Sequence, residues 1–313
     1  MGTFTNDAQP SGYSYLGPAG TFTEAALALV PEAQGKEWMP VNNVGEALDN
    51  VSSGRSLAAM IAIENSVDGG VAATQDALAK TKGLRIIGEY LVPVNFDLVA
   101  RTGTKLADVK VLNAHPVAYA QCRGWLESQL PHHGHIPSSS NVAAAADLLE
   151  TQNADAAIAP HGIERHYDVE VLASNIGDNP NAVTRFVLVS RSSELPEPTG
   201  HDKTSLIVEL PEDRAGVLLE MLEQFATRGV NLTLIQSRPV GDALGRYRFV
   251  IDAEGHVRDE RVAEALLGLR RFSPNVIFLG SYPRADQTPT PPAENFTDKV
   301  FVDARAWLDD ILS

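Results

Sequence analysis

At 313 residues with 44% hydrophobic side chains, the chain can bury a sizeable core in one large domain or in two or three smaller ones. Its net charge of −15 argues against general binding to nucleic acid or anionic membranes, which calls for a basic surface. The longest apolar runs, such as Leu57 to Ile63, fall well short of a membrane span.

The opening MGTFTNDAQPSG has neither a basic n-region nor an apolar h-region, so no secretory signal is predicted. A single cysteine, Cys122, leaves no intrachain disulfide and suits a reducing cytoplasm. From about Tyr13 to Arg191, short β-rich runs alternate with helical stretches, the pattern of an α/β layer fold. Strands are predicted at Ser14 to Gly17, Ala58 to Ile63, Leu84 to Tyr90, Phe96 to Arg101, Asp155 to Ala159 and Thr184 to Ser190. Helices are predicted at Thr23 to Val30, Asn43 to Val51, Ala118 to Leu130 and Asn141 to Glu150. The polar bridge Ser192 to Lys203 suits an interdomain linker.

From Thr204 to about Arg284 the order is strand, helix, strand, strand, helix, strand, a split βαβ sandwich of the ferredoxin type. The first helix, beginning near Asp213, carries Leu218, Met221, Leu222 and Phe225 at helical spacing, and Gly229 stands where a C-cap belongs. Between the two central strands, GDALG (Gly241 to Gly245) supplies a turn. A proline-rich spacer, Gln287 to Pro292, precedes a final helix with Phe296, Val300, Ala304, Trp307 and Ile311 along one side, a stripe that needs a partner surface.

Several segments could carry chemistry, and each has a plainer reading. In Tyr15 to Leu27, a strand, a Gly-Pro-Ala-Gly turn and a helix capped by Thr21 or Thr23 present backbone N–H groups to an anion; the plainer reading is an ordinary corner. In Ile61 to Val71, Glu64, Asn65 and Ser66 end a buried strand, where open α/β sheets bind ligands; otherwise Asn65 or Ser66 is a helix cap. Alternation puts Thr184, Phe186 and Leu188 on one strand face and Arg185 on the other. Both Thr184 and Arg185 reach one pocket only across a bend or bulge; otherwise Arg185 is a structural ion pair and Thr184 a β-favoured residue. The histidines of PHHGH (Pro131 to His135) lack a carboxylate or cysteine at ligand spacing and read as a solvated loop. Cys122, near Trp125 on an apolar helix face, reads as a core residue. No Walker or dinucleotide-type glycine fingerprint appears, so a nucleotide cofactor has no evident seat, and with PHHGH read as a loop no metal is expected.

Taken in order, GPAGTFTEAA (Gly17 to Ala26), IENSVDGGV (Ile63 to Val71), HPVAYAQC (His115 to Cys122), Ser138 to Ala146 and TRF (Thr184 to Phe186) resemble the prephenate dehydratase family. RAGVL (Arg214 to Leu218) and NLTLIQSRP (Asn231 to Pro239) resemble the family's ACT module. The resemblance implies a two-lobed catalytic domain like a type II periplasmic binding protein at residues 13–191. Its lobes are roughly 13–90 with 180–191, and 91–179. An ACT regulatory domain follows at 204–284, then the spacer and helix at 287–313. It implies removal of carbon dioxide and the ring hydroxyl of prephenate to give phenylpyruvate, without a cofactor, in a cytoplasmic homodimer or homotetramer. Arogenate in place of prephenate, and a non-catalytic metabolite sensor, are the alternatives.

The same resemblance assigns the chemistry to Thr184, with Arg185 and Phe186 as pocket neighbours. Arg185 and the Gly17 to Thr21 turn become candidates for a substrate carboxylate; Asn65, Ser66, Gln121 and Ser140 complete the polar lining, and Glu64 pairs with a cation outside the contact shell. An amino-acid effector, phenylalanine, is expected where Ala215, Gly216, Val217 and Leu218 face Asn231 and Leu232 of a neighbouring subunit, with Ser237 nearby. The chain departs from the family pattern at Ala114 (serine), Asn141 (threonine), Gln236 (glutamate) and Val217 (alanine).

Overall fold

The computed structural model describes residues 11–67, 69–241 and 245–313. Position 68 within the Ile63 to Val71 motif, positions 242–244 of the expected turn, and most of the stretch weighed as a signal lie outside the described residues. None of the described helices is long and apolar enough to cross a membrane.

The described residues build three sheets. The first lobe contains β1 (Gly12–Leu16), α1 (Phe22–Ala28), β2 (Glu37–Val41), α2 (Val44–Ser52), β3 (Ala58–Asn65), the two-residue β4 (Gly69–Gly70), α3 (Ala72–Lys80) and β5 (Arg85–Pro93). The second contains β6 (Phe96–Ala100), β7 (Val111–Ala114), α4 (Pro116–Gln121), α5 (Arg123–Gln129), β8 (Gly134–Pro137), α6 (Asn141–Glu150), β9 (Ala156–Pro160) and β10 (Glu170–Ala173). Strand β11 (Val183–Ser190) then returns to the first sheet, running antiparallel between β3 and β5. The strand orders are β2-β1-β3-β11-β5 and β10-β6-β9-β7-β8, so only residues 94–95 and 174–182 connect the two lobes. The third sheet holds β12 (Asp202–Glu209), β13 (Leu232–Pro239), β14 (Tyr247–Glu254) and β15 (Val276–Pro283) in the order β13-β14-β12-β15, with α7 (Val217–Ala226) and α8 (Glu260–Phe272) between them in sequence. This is the ferredoxin-like βαββαβ arrangement.

Local chemistry explains the boundaries. Thr21 Oγ1 caps α1 through the Glu24 amide at 3.3 Å, and Asn43 caps α2 through Glu46 at 2.9 Å, satisfying amides that have no carbonyl four residues earlier. The helix expected over Ala118 to Leu130 is two helices, α4 and α5, broken at Cys122 (φ −112°, ψ 8°). Asp178, more than fifty residues downstream, accepts the Gly124 and Trp125 amides at 2.8 and 3.1 Å and caps the second one. Helix α7 starts at Val217 instead of near Asp213, because Gly216 takes a left-handed conformation (φ +86°), which costs glycine little.

The third sheet does not stand apart. One of its faces packs on α7 and α8 through Leu206, Val208, Met221, Phe225, Ile251, Val262 and Leu269. The other closes directly on the first lobe, where Ile207, Val250, Leu279 and Tyr282 share a core with Ile61, Ile63, Ile86, Val187 and Val189. At Gly280 (φ +145°) the two sheets come so close that a Cβ would stand 2.3 Å from the Ile86 carbonyl oxygen. The last helix, α9 (Asp298–Leu312), is held to α8 by Arg305–Glu260 at 2.5 Å. Val300, Trp307 and Ile311 of its apolar stripe are exposed, while Phe296 just before it lies against Gly229.

Candidate active site

The ends of β3 and β11 carry the residues singled out from sequence. Alternation along β3 puts Ala59, Ile61 and Ile63 in the core shared with the third sheet, and Ala58 and Met60 in the core on the opposite face. Continued strictly, it would turn Asn65 toward the third sheet and Glu64 away from it. The pairing prevents this. Phe186 opposes Ala62 but Arg185 opposes Glu64, so Ile63 is an extra residue, a β-bulge in β3. The bulge inverts the faces: Glu64 joins Arg185 on the side of the third sheet, and Asn65 joins Thr184.

On that second side Asn65 Nδ2 donates to Thr184 Oγ1 at 2.8 Å, while Asn65 Oδ1 accepts the Val67 amide at 2.8 Å. The amide orientation is thereby set, with oxygen toward the loop and nitrogen toward the threonine. Having accepted from Asn65, the Thr184 hydroxyl keeps its own proton for donation. Ser66 ties the next turn down: its Oγ accepts the Val183 amide at 2.9 Å and its amide donates to the Val183 carbonyl at 2.9 Å. A cavity of about 440 Å³ opens between the lobes. Its lining includes Val67 from the first lobe, Val94, Phe96 and Ala182 at the crossings, and Pro116, Val117, Ala120 and Gln121 from α4. Gln121 lines this interlobe space, and Thr184 follows the lining residue Ala182 by two positions along the chain.

Other residues take places different from those expected. Arg185 is buried, and each of its terminal nitrogens has a carboxylate: Nε on Glu64 at 3.0 Å, Nη1 on Glu89 at 3.1 Å and Nη2 on Asp252 at 2.5 Å. Burial alone would lower its pKa, but Asp252, Tyr282, Glu89 and Glu64 hold it well above the ordinary arginine value. It shares a face with Val187 and Val189, so it is not placed to receive a substrate carboxylate. Phe186 lies in the interior with Tyr13, Tyr15, Val92 and Leu188; it supports the strand and is not a wall of the cavity. The turn before α1 does not present a free Gly20 amide, which donates to Glu24 Oε2 at 2.5 Å, and Thr21 spends its hydroxyl on the Leu16 carbonyl at 3.1 Å. Ser140 caps α6 through the Ala143 amide at 3.0 Å.

Thr21 and Glu24 do line a second interlobe cavity of about 330 Å³, opposite His161, Arg165 and His166 of the second lobe. His161 is oriented by Asp97, whose oxygens take His161 Nδ1 at 2.9 Å and the Asn175 amide at 2.9 Å. Sequence reasoning passed over these three cationic or ionisable side chains because they follow a strand with no motif around them. Two of the three PHHGH histidines are engaged with a neighbour, His133 Nε2 with Tyr119 Oη at 2.9 Å and His135 stacked on the Tyr119 ring at 4.0 Å, while His132 is exposed. Among the described residues no cluster of metal-ligating side chains occurs. Cys122 is buried, and burial first and Asp178 second push its thiol pKa up to about 12.

In the third sheet, Ala215 and Gly216 form the loop before α7, Val217 is buried and Leu218 exposed. The Asn231 carbonyl accepts the Glu254 amide at 2.9 Å, Leu232 packs in the domain core, and Ser237 points outward on edge strand β13. The inward residues of that strand reach the first lobe. Gln236 Oε1 accepts Gln75 Nε2 at 2.6 Å, and Arg238 Nη2 pairs with Asp76 at 2.6 Å, an aspartate that Arg248 also holds at 2.7 Å.

A two-lobed α/β cleft with a hydroxyl poised at a bulge, fused to a ferredoxin-like module that shares its core, defines the class: an α/β enzyme of the periplasmic-binding-protein type carrying an ACT domain. The family model for prephenate dehydratase matches residues 13–194, and that for the ACT domain matches residues 204–271. The chain belongs to the prephenate dehydratase family. A prephenate dehydratase of Corynebacterium glutamicum is 43% identical over 288 residues, 90% of this chain and 91% of the relative. The crystal structure of an Arthrobacter aurescens prephenate dehydratase in complex with L-Phe superposes with a TM-score of 0.92 at 53% identity, covering 96% of this chain and 99% of that one. GqqA, described as a novel type of quorum-quenching acylase, superposes with a TM-score of 0.77 at 30% identity, covering 87% and 97%.

Proposed function

We propose that this chain is a prephenate dehydratase that works in the interlobe cleft at Thr184 and answers to phenylalanine through its ACT domain. The observation that carries the reading is the Asn65–Thr184 hydrogen bond at 2.8 Å, which joins two motifs 119 residues apart in sequence. In the reaction the bond from the ring to its carboxylate breaks, and its electrons enter the ring as carbon dioxide departs. The ring carbon–hydroxyl bond breaks at the other end, and the departing oxygen takes a proton to leave as water. Aromatisation supplies the driving force, so the protein has to orient the substrate and meet charge on that oxygen.

Thr184 is too weak an acid to be a free donor near neutral pH. Its hydroxyl instead gives a hydrogen bond that strengthens as the carbon–oxygen bond lengthens, with the proton passing in concert. Asn65 occupies one acceptor site of Oγ1 from behind, fixing the rotor and polarising the O–H outward. Ser66 and Gln121 are proposed to complete the polar rim, and Glu64 to act through Arg185.

The ACT reading rests on the loop Ala215 to Leu218 before α7, on Asn231, Leu232 and Ser237 of an edge strand left open on its outer side, and on the relative solved with L-Phe. An open edge suits pairing with a second copy, so a homodimer or homotetramer with the effector between ACT domains is proposed, in the cytoplasm. Purified protein should convert prephenate to phenylpyruvate without added metal or cofactor, slow or speed with phenylalanine, and elute as an oligomer. Absence of phenylpyruvate would sink the reading. Arogenate assayed side by side decides between the two substrates by kcat/KM, and an amide substrate tests the activity named for GqqA.

A further inference from the structure

The Asn65–Thr184 bond exists because the bulge at Ile63 turns Asn65 away from the third sheet. What holds that bulge is on its other side. Arg185 and Glu64, the residues next to Thr184 and Asn65, oppose each other in the pairing and form an ion pair at 3.0 Å. The guanidinium is then gripped from behind by Glu89 of β5 at 3.1 Å and by Asp252 of β14 at 2.5 Å. Asp252 is itself fully buried and oriented. Ser205 Oγ donates to its other oxygen at 2.5 Å, and Tyr282 Oη stands 2.6 Å behind Ser205. Lys203 Nζ and the Ala285 amide complete Glu89 at 2.9 and 3.0 Å.

The five charges, Arg185 and Lys203 against Glu64, Glu89 and Asp252, are each met by a partner, as burial demands. A planar guanidinium with three separate carboxylates has no second orientation that keeps all three bonds. Asp252 and Ser205 belong to the ACT domain, Glu89 and Arg185 to the first lobe. The regulatory sheet therefore supplies one jaw of the clamp.

Building on the proposed activity, we infer that Asp252 is a positioning residue for that chemistry: by clamping Arg185 it fixes the β-bulge that turns Asn65 onto Thr184. Asp252 touches no substrate; it acts through one side chain and one backbone irregularity. Without its charge, Arg185 is free to follow Glu64 and Glu89, the bulge can slip, and the threonine rotor is no longer held.

The test compares Asp252→Asn, Ser205→Ala and Asp76→Asn in the full-length protein, by steady-state kinetics and hydrogen exchange. Asp76→Asn breaks the neighbouring ion pairs between the same two domains without touching Arg185, and serves as the control. Asp252→Asn should lower kcat by on the order of 10- to 10²-fold, the scale of a misplaced catalytic group, with KM within about twofold. Amide exchange in the segments 61–67 and 183–190 should speed up in the same variant. Ser205→Ala should show the same signs more weakly, and it decides the matter if Asp252→Asn does not fold. Asp76→Asn should keep its kcat. A normal kcat for Asp252→Asn overturns the inference, and so does an equal loss in Asp76→Asn, which would mean only a loosened domain contact. If the unaltered protein does not turn over prephenate, the proposed function fails separately, and the exchange data alone decide whether Asp252 holds the bulge.

Discussion

The cleft between the lobes and the contact between the first lobe and the ACT domain are built on opposite plans. Across the cleft, cavities separate the lobes, and side chains meet at a few points such as His166 and Glu24, 3.6 Å apart. The ACT contact is packed among the described residues: Ile86, Val187, Val189, Ile207, Leu279 and Tyr282 form one core, with buried charges set into it. The first surface has to admit a dianion and water, so it stays open. The second is close-packed, and a close-packed surface passes on a displacement because it has no room to absorb it. One strand, β11, turns Arg185 toward the ACT domain and Thr184 to the opposite face, where it meets Asn65.

The sharpest way to break this comparison is at the cleft. Thr184→Ala should lower kcat by on the order of 10²–10³, the worth of one preorganised donor, with the circular dichroism spectrum unchanged; near-normal turnover would remove Thr184 from the chemistry. Next comes the packed contact. Gly280→Ala places a methyl 2.3 Å from the Ile86 oxygen at a φ of +145°, and overpacking of this kind costs about 1–3 kcal/mol. Urea unfolding measures it, and a neutral result would mean that the two sheets have slack.

A smaller effect is expected at the edge of that contact. Hydrogen bonding from Arg238, the first cause, and then Arg248, outweighs burial and lowers the Asp76 pKa. The folded value lies below the unfolded one of about 3.9, so the stabilisation is full above that pH and disappears as pH falls through the folded value. Asp76→Asn should therefore be less stable than the parent at neutral pH and converge with it in acid; thermal melts across pH 2–7, on the order of the range where carboxylates titrate, read the convergence. The smallest signal is Cys122. With its thiol pKa at about 12, a thiol-alkylating reagent should label it only as fast as the protein unfolds, since the thiolate is the reactive form. Rapid labelling of the folded protein would show that the second lobe opens internally, where rigid movement of the lobes about the cleft leaves Cys122 covered.

Much of the architecture could be read directly. The ferredoxin-like module was legible because its strands alternate cleanly, as in Tyr247 to Ile251, and its helices carry apolar residues three and four apart. Ser14 to Gly17, Ala58 to Ile63 and Thr184 to Ser190 were legible as β-rich runs. By contrast β2 (Glu37–Val41) is short and only partly buried, α3 opens without a side-chain cap, and the break between α4 and α5 depends on Asp178, which no local pattern connects to Cys122.

The site divides the same way. Local pattern and motif order pointed to Asn65, Ser66 and Thr184 as candidates, since strand ends with polar side chains are visible one segment at a time. The direction each one faces was decided elsewhere. Period two is a local rule, and a single bulge reverses it; where the bulge falls depends on the ladder that β3 forms with β11, more than a hundred residues away. Arg185 became an anion-receptor candidate through the TRF resemblance, whereas its residue pattern alone read as a structural ion pair. Three carboxylates from three separate strands had already claimed it, and only the folded chain brings Glu64, Glu89 and Asp252 to one point. Sequence by itself determined many of the elements, their order and the family they belong to, because those follow from spacing along the chain. Tertiary structure alone decided which charges neutralise one another, because Coulomb attraction and burial depend on distance through space.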